Sequence, residues 1–227
     1  MSVLLEVNHL KISARKDDDS LTPIVKGVSF NVARGEVIAL IGESGSGKTT
    51  IALSALGYTK PGLEFTGGQV RLEGEDIITM ASDQLRALRG QRVAYLAQSA
   101  AATFNPALTI GEQVTESCVL HNILTQKQAD ERAEFLYRAL ELPDPDQLGK
   151  RYPHQVSGGQ LQRLMAATAL CGKPDLLVLD EPTTALDVTT QIEVLKAFKS
   201  VIKQEGSAAI YVTHDLSVVA QIADHIV

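Results

Sequence analysis

Between an apolar run, Val37-Ile38-Ala39-Leu40-Ile41, and a helix-like stretch, Thr50-Ile51-Ala52-Leu53-Ser54-Ala55-Leu56, the chain carries Gly42-Glu43-Ser44-Gly45-Ser46-Gly47-Lys48-Thr49. The pattern G-x-x-x-x-G-K-[ST], set after a strand and before a helix, constrains the fold strongly, because such a loop must curl until its amides converge. Glycines let the backbone bend without a Cβ in the way. Converging N–H groups and a helix N-terminus favour an anion. Gly42, Glu43, Ser44, Gly45, Ser46, Gly47, Lys48, Thr49 and Thr50 are therefore expected to hold the phosphates of a nucleotide, with Lys48 reaching the β- and γ-phosphates and the Thr49 hydroxyl available to Mg²⁺. The bland alternative is a glycine-rich turn with a solvated lysine, and the flanking strand and helix weigh against it.

A chain of 227 residues with 44% hydrophobic residues can build one large domain or two small ones, with a sizeable core. Its formal charge of −6 argues against a whole-domain footprint for nucleic acid. Cys118 and Cys171 lie far apart without metal spacing, as expected of two reduced, buried thiols. No run approaches the ~18 apolar residues of a membrane span. Met1-Ser2-Val3-Leu4-Leu5-Glu6 lacks the basic and apolar regions of a signal peptide, so any membrane partner is expected to be another chain.

The order of elements points to an α/β fold. Leu4-Leu5-Glu6-Val7 reads as a strand, Asp17-Asp18-Asp19-Ser20 as a hairpin tip, and the alternation of Val28, Phe30 and Val32 as a half-buried strand. Gly67 to Leu72 starts another strand. Ser82 to Gly90 reads as a short helix, and Val93-Ala94-Tyr95-Leu96 as a strand delivering Gln98. From about Leu108 to Ala169 helical spacing takes over: Ala133, Leu136, Tyr137 and Leu140 form one stripe, and Leu161, Leu164, Met165 and Ala169 another. Alternation then returns. Leu176-Leu177-Val178-Leu179 and Ala208 to Val212 read as strands buried on both faces of a parallel sheet, with an apolar helix stripe of Ile192, Leu195, Phe198 and Ile202 between them. A helix near Leu216–Ile222 follows, and His225-Ile226-Val227 looks like the opening of a further strand.

A phosphate loop needs a second metal anchor and a group that orients water. An apolar strand ending in Asp180-Glu181 supplies both at the carboxyl edge of the sheet, where nucleotides bind in such folds. Asp180 can hold Mg²⁺ through water, and Glu181 can reach the attacking water. Elsewhere, Ser157 and Gln160 fit a capping box, S-x-x-Q, before a helix. That does not account for Gly158-Gly159, which weakens the first turn by ~1 kcal/mol per glycine relative to alanine. Two bare positions at a helix start suit a close-approaching anion. Spacing leaves open whether the two phosphate-binding features serve one nucleotide or two.

Taken in order, these motifs resemble the nucleotide-binding domain of an ATP-binding cassette (ABC) transporter over nearly the whole chain. They are the phosphate loop Gly42–Thr49, Gln98, Ser157-Gly158-Gly159-Gln160, Asp180-Glu181, Thr184-Ala185-Leu186-Asp187 and His214. Gly42-Glu43-Ser44-Gly45-Ser46-Gly47, Asn105-Pro106 and Tyr152-Pro153-His154-Gln155 resemble the oligopeptide, dipeptide and nickel import group. The resemblance implies a P-loop NTPase core with a mostly parallel sheet, an N-terminal antiparallel β subdomain and an inserted α-helical subdomain. The division would be residues 1–97 and 170–227 for the β-rich, RecA-like core and 98–169 for the helical part, all within one domain of 1–227.

The resemblance further implies ATP and Mg²⁺ as cofactors and a head-to-tail dimer with an identical or related second domain. Ser157, Gly158, Gly159 and Gln160 would serve the partner's γ-phosphate, and Asp187 would cross the interface. Glu181, His214 and Gln98 would be catalytic; Thr49, Gln98 and Asp180 would surround the metal. Gln98 to Gln113 would meet transmembrane permease subunits at the cytoplasmic face of a bacterial inner membrane, with a periplasmic binding protein acting indirectly and no nucleic acid involved. Three departures stand out. Ala14, then Arg15, stand where the family usually has an adenine-stacking aromatic, so a guanidinium plane or aliphatic contacts would hold the base. Val156 replaces the commoner leucine. Relatives continue past Val227, so the chain is expected to be a fragment or isolated domain. The alternatives are a soluble cassette ATPase of DNA repair or ribosomes, and a non-catalytic regulatory cassette; the helical insert is short, no basic linker appears, and Glu181 and His214 are present.

Overall fold

The computed structural model describes residues 2–43, 45–97, 103–183 and 186–227. In chain order they form β1 (Val3–Arg15), β2 (Leu21–Ala33), β3 (Val37–Leu40), α1 (Lys48–Ser54), β4 (Leu63–Leu72), β5 (Glu75–Asp76), a 3-10 turn (Ile77–Thr79), α2 (Ser82–Gln91) and β6 (Val93–Leu96). There follow α3 (Ile110–Leu120), α4 (Gln126–Ala139), α5 (Pro145–Leu148), a 3-10 turn (Pro153–Gln155), α6 (Gly158–Cys171), β7 (Leu176–Asp180), α7 (Val188–Glu205), β8 (Ala208–Val212), α8 (Leu216–Ile222) and β9 (His225–Ile226).

The strands make two sheets. One is antiparallel, in the order β2-β1-β4-β5; the other is parallel, in the order β6-β7-β8-β3-β9. Side chains on a strand alternate between faces, and here both faces of the parallel sheet are covered. Leu177, Leu179, Ala209 and Tyr211 join one core with α7 and the helices α3, α4 and α6. Leu176, Val178, Ala208, Ile210 and Val212 join the other with α1 and the antiparallel sheet. This double coverage explains why β7 and β8 read as unbroken apolar runs. Each large apolar side chain so buried contributes roughly 1.5–3 kcal/mol.

The first strand extends eight residues past the expected Val7, to Arg15. Its alternation is broken by register shifts between Val3 and Leu5 and between Val7 and Leu10, so Leu4 and Leu5 are both buried. The break centres on His9, at φ 48°, opposite Gly68. A Cβ on Gly68 would stand 2.4 Å from the His9 carbonyl oxygen, so glycine is required there. Beyond the break, β4 begins at Leu63, four residues before the expected start at Gly67. The tip at Asp17–Ser20 is a turn in which Asp18 Oδ1 accepts from the Ser20 amide at 3.0 Å. Arg34 and Arg92 tie the two sheets together through shared Glu73 and Asp175; Arg34 reaches Asp175 at 2.9 Å and Arg92 reaches it at 2.8 Å.

Several of the helices start where side chains cap them. Thr109 with Glu112, Thr125 with Gln128 and Ser157 with Gln160 each form a reciprocal capping box. In α6 the buried face is Leu164, Met165, Ala166, Ala167 and Leu170, whereas Leu161 and Ala169 are only half-buried. The helix is packed by α3, α4 and β6 rather than along one narrow stripe. Cys118 and Cys171 are buried and free.

Candidate active site

Three elements deliver the polar residues to one place. The loop after β3 turns through a Ser46 amide to Glu43 carbonyl bond at 3.2 Å and enters α1 at Gly47, whose φ of 95° lies in the left-handed region that favours glycine. A Cβ on Gly47 would also lie 3.6 Å from Val25 of β2, so the loop is backed by the hairpin. Lys48 curls over the loop, its Nζ donating to the carbonyls of Gly42 at 2.7 Å and Glu43 at 2.8 Å. The ammonium is thereby held at the mouth of the loop.

The strand β7 is buried over Leu176–Leu179 and emerges at Asp180. Asp180 Oδ1 accepts from the Thr49 hydroxyl at 3.2 Å, and Oδ2 accepts from the Tyr95 hydroxyl at 3.0 Å. Burial first, and then the neighbouring Asp180 charge, pushes the Tyr95 phenol well above its ordinary pKa, so it remains a donor. Glu181 follows with φ 48°, an unusual value for a residue with a side chain. Its amide donates to the Val212 carbonyl at 3.0 Å, pinning that conformation to the end of β8. The Glu181 carboxylate then meets His214, Oε1 to Nδ1, at 2.7 Å. Behind it, Thr183 pairs with the buried Tyr211 hydroxyl at 3.1 Å and accepts from Gln191 at 3.0 Å, fixing the loop that leaves Glu181.

These groups line one cavity of about 570 Å³, with Gly45, Gly47, Lys48, Thr49, Thr50, Asp180, Glu181, Val212 and His214 in its walls. Thr49 and Asp180 are hard oxygen donors close enough to share a cation, which suits Mg²⁺, an ion bound by one or two protein oxygens together with phosphates. No cluster of three or more His, Cys, Asp or Glu able to hold a metal occurs among the described residues.

Other expected site residues stand elsewhere. Ser44, Gln98, Thr184 and Ala185 lie outside the described residues. Ser157, Gly158, Gly159 and Gln160 begin α6 and are not part of the cavity wall, so the two glycine-rich features do not meet within one chain. Gly158 has open space where a Cβ would be, but a Cβ on Gly159 would lie 3.0 Å from Thr190. One of the two glycines therefore has a packing reason that the anion argument overlooked. Asp187 caps α7, accepting from the Thr190 amide at 3.1 Å and its hydroxyl at 2.7 Å. The Arg15 guanidinium is bound by Glu64 at 2.9 Å and Asp19 at 3.3 Å and does not line the cavity; Ile24 and Lys60 do. Sequence reasoning missed Tyr95, Ile24 and Lys60. Tyr95 becomes visible once β6 is known to pair with β7: Tyr95 is opposite Val178, on the face that Asp180 shares.

None of the described helices is long and apolar enough to cross a membrane. The family model described as ABC transporter matches residues 25–184. The oligopeptide transport ATP-binding protein AppD of Bacillus subtilis (strain 168) is 40% identical over 100% of this chain and 69% of its own length. The dipeptide transport ATP-binding protein DppD of the same strain is 37% identical over 100% of this chain and 68% of its own. The chain thus spans about two thirds of the length of the curated relatives it matches. Their names side with transport, not with repair or ribosomes. Among solved structures, the dimeric, post-hydrolysis ATP-binding cassette MJ0796 bound to ADP and Pi superposes with a TM-score of 0.79 at 25% identity, covering 95% of this chain and 90% of that one. The chain belongs to the ABC transporter family, as an ATP-binding cassette of its ATP-hydrolysing kind.

Proposed function

We propose that this cassette hydrolyses ATP to power the import of peptides or a related small solute through a membrane permease. What carries the reading is the convergence of Lys48, Thr49, Asp180, Glu181 and His214 on one cavity behind a phosphate loop. The peptide assignment rests on the names of AppD and DppD. Residues 1–97 and 170–227 act as the nucleotide core and 98–169 as the helical subdomain that faces the permease.

The amides of Gly42 to Thr50 and the Lys48 ammonium hold the phosphates. Thr49 and Asp180 hold Mg²⁺, which would neutralise charge on the phosphate oxygens. Glu181 takes up the proton of the attacking water or orients it, and His214, hydrogen-bonded to Glu181, reaches the γ-phosphate. For Gln98, the metal or water contact and the relay to the permease rest on the family resemblance. A second cassette, identical or related, closes each site by offering Ser157, Gly158, Gly159 and Gln160 from the start of its α6. The assembly works at the cytoplasmic face of a bacterial inner membrane, with a periplasmic binding protein delivering the solute.

Glu181→Gln tests the chemistry. Removing a general base lowers turnover by about 10²-fold or more, while ATP still binds and dimers accumulate in gel filtration with Mg²⁺ and ATP. Retained phosphate release in that variant would remove Glu181 from the mechanism. Copurification with hydrophobic permease subunits checks the transport assignment, and recovery with nucleic acid instead would overturn it.

A further inference from the structure

Asp180 is held at both ends. Thr49 donates to Oδ1 at 3.2 Å, and Tyr95 donates to Oδ2 at 3.0 Å. The torsion that turns an aspartate carboxylate is soft, so the direction in which each oxygen points depends on what holds the other. Tyr95 comes from β6, the edge strand of the parallel sheet, and its side chain is 40% exposed. Tyr95 also borders a second cavity of about 380 Å³, together with Ala94, Cys118, Met165 and Thr168. The hydroxyl is what a phenylalanine lacks, and it is aimed at Asp180.

We infer that Tyr95 is a positioning residue for the metal-holding carboxylate: its hydroxyl ties down Oδ2 so that Oδ1 stays beside Thr49, where a cation shared with the nucleotide's phosphates would sit. The inference rests on the reading that Thr49 and Asp180 hold Mg²⁺. Partners that fix a metal-holding carboxylate from behind are commonly needed for full metal affinity. The free carboxylate can rotate away from Thr49, and the cation must then freeze that rotation on binding. The hydroxyl removes the rotation beforehand.

The test is Tyr95→Phe in the full chain, with a fluorescent ATP analogue titrated with MgCl₂. The Mg²⁺ concentration needed for tight nucleotide binding is expected to rise about 10-fold, while analogue binding in EDTA and the melting temperature stay at wild-type values. A Mg²⁺ curve that superposes on the wild type overturns the inference. So does an equal loss of binding with and without Mg²⁺, because the hydroxyl would then be supporting the cavity rather than the metal site. Asp180→Asn is the accompanying control. If that variant also leaves the Mg²⁺ dependence unmoved, the metal assignment to Asp180 fails first. If Asp180→Asn shifts the curve and Tyr95→Phe does not, only the role of Tyr95 is lost.

Discussion

The chain starts two helices with glycine-rich turns, and the two are built in opposite ways. At Gly47 the backbone is left-handed, no side chain caps the helix, and Lys48, Thr49 and Asp180 crowd around a cavity. At Ser157 the cap residue is extended, Ser157 and Gln160 satisfy each other at 2.9 and 3.3 Å, and Gly158 faces open space. The first turn leaves its donors for a ligand and surrounds them with the rest of a site. The second is complete as a helix start and lies outside that cavity. A helix N-terminus favours anions in either case, but the first has an ammonium, the Thr49 and Asp180 oxygens and the cavity walls within the same chain. The second acquires a comparable setting only against another molecule, which is the physical sense of the proposed dimer.

The largest expected effect is at the first turn. Lys48→Ala removes an ammonium whose loop carbonyl bonds hold it at the cavity mouth. A hydrogen bond to a charged group contributes roughly 1.5–3 kcal/mol, so ATP affinity should fall about 10- to 100-fold. Isothermal titration measures it, and an unchanged dissociation constant would erase the contrast between the two turns.

What separates the turns was only partly legible in the residue order. Buried parallel strands announce themselves, because Leu176 to Leu179 must feed two cores and cannot afford a polar residue. Asp180, Glu181 and His214, the proposed site residues that follow such strands, are legible for the same reason. Tyr95 is not, since its importance depends on β6 lying next to β7, and no spacing encodes sheet order. The partner of Arg15 is equally hidden: Glu64 is distant in sequence, and the two pair outside the cavity. The full length of β1 was hidden by the irregularity at His9, which breaks the alternation that marks a strand. In Gly158-Gly159, the close approach of Gly159 to Thr190 is likewise invisible in the residue order.

That last pair offers a sharper cut. Gly159→Val would drive a Cβ to 3.0 Å from Thr190, whose hydroxyl is held by Asp187 and cannot swing aside freely. Overpacking of this kind costs roughly 1–3 kcal/mol, and each kcal/mol lowers Tm by about 2–4 °C in a chain of this size. Gly158→Val meets nothing and should leave Tm within about 1 °C, since helix propensities differ by tenths of a kcal/mol. Its effect should appear instead as weakened ATP-driven dimerisation. Calorimetry and gel filtration separate the two. Equal Tm losses would mean that the Gly158 face is packed rather than open.

The smallest effect is expected from Ser157→Ala. Losing an N-cap hydroxyl typically costs ~1 kcal/mol, but here the Ser157 hydroxyl to Gln160 amide bond is long at 3.3 Å, while the return bond from the Ser157 amide to Gln160 at 2.9 Å survives the substitution. Melting temperature should therefore drop by no more than about 2–4 °C, with ATP binding to the monomer unchanged. A weak cap of this kind has a functional logic: a hydroxyl that gives up little by leaving its helix is free to turn toward a phosphate presented from outside. If calorimetry instead shows a loss near 2 kcal/mol and ATP-driven dimers survive, Ser157 belongs to its own helix alone, and the contrast between a turn that serves a ligand and one that serves a partner no longer holds at that residue.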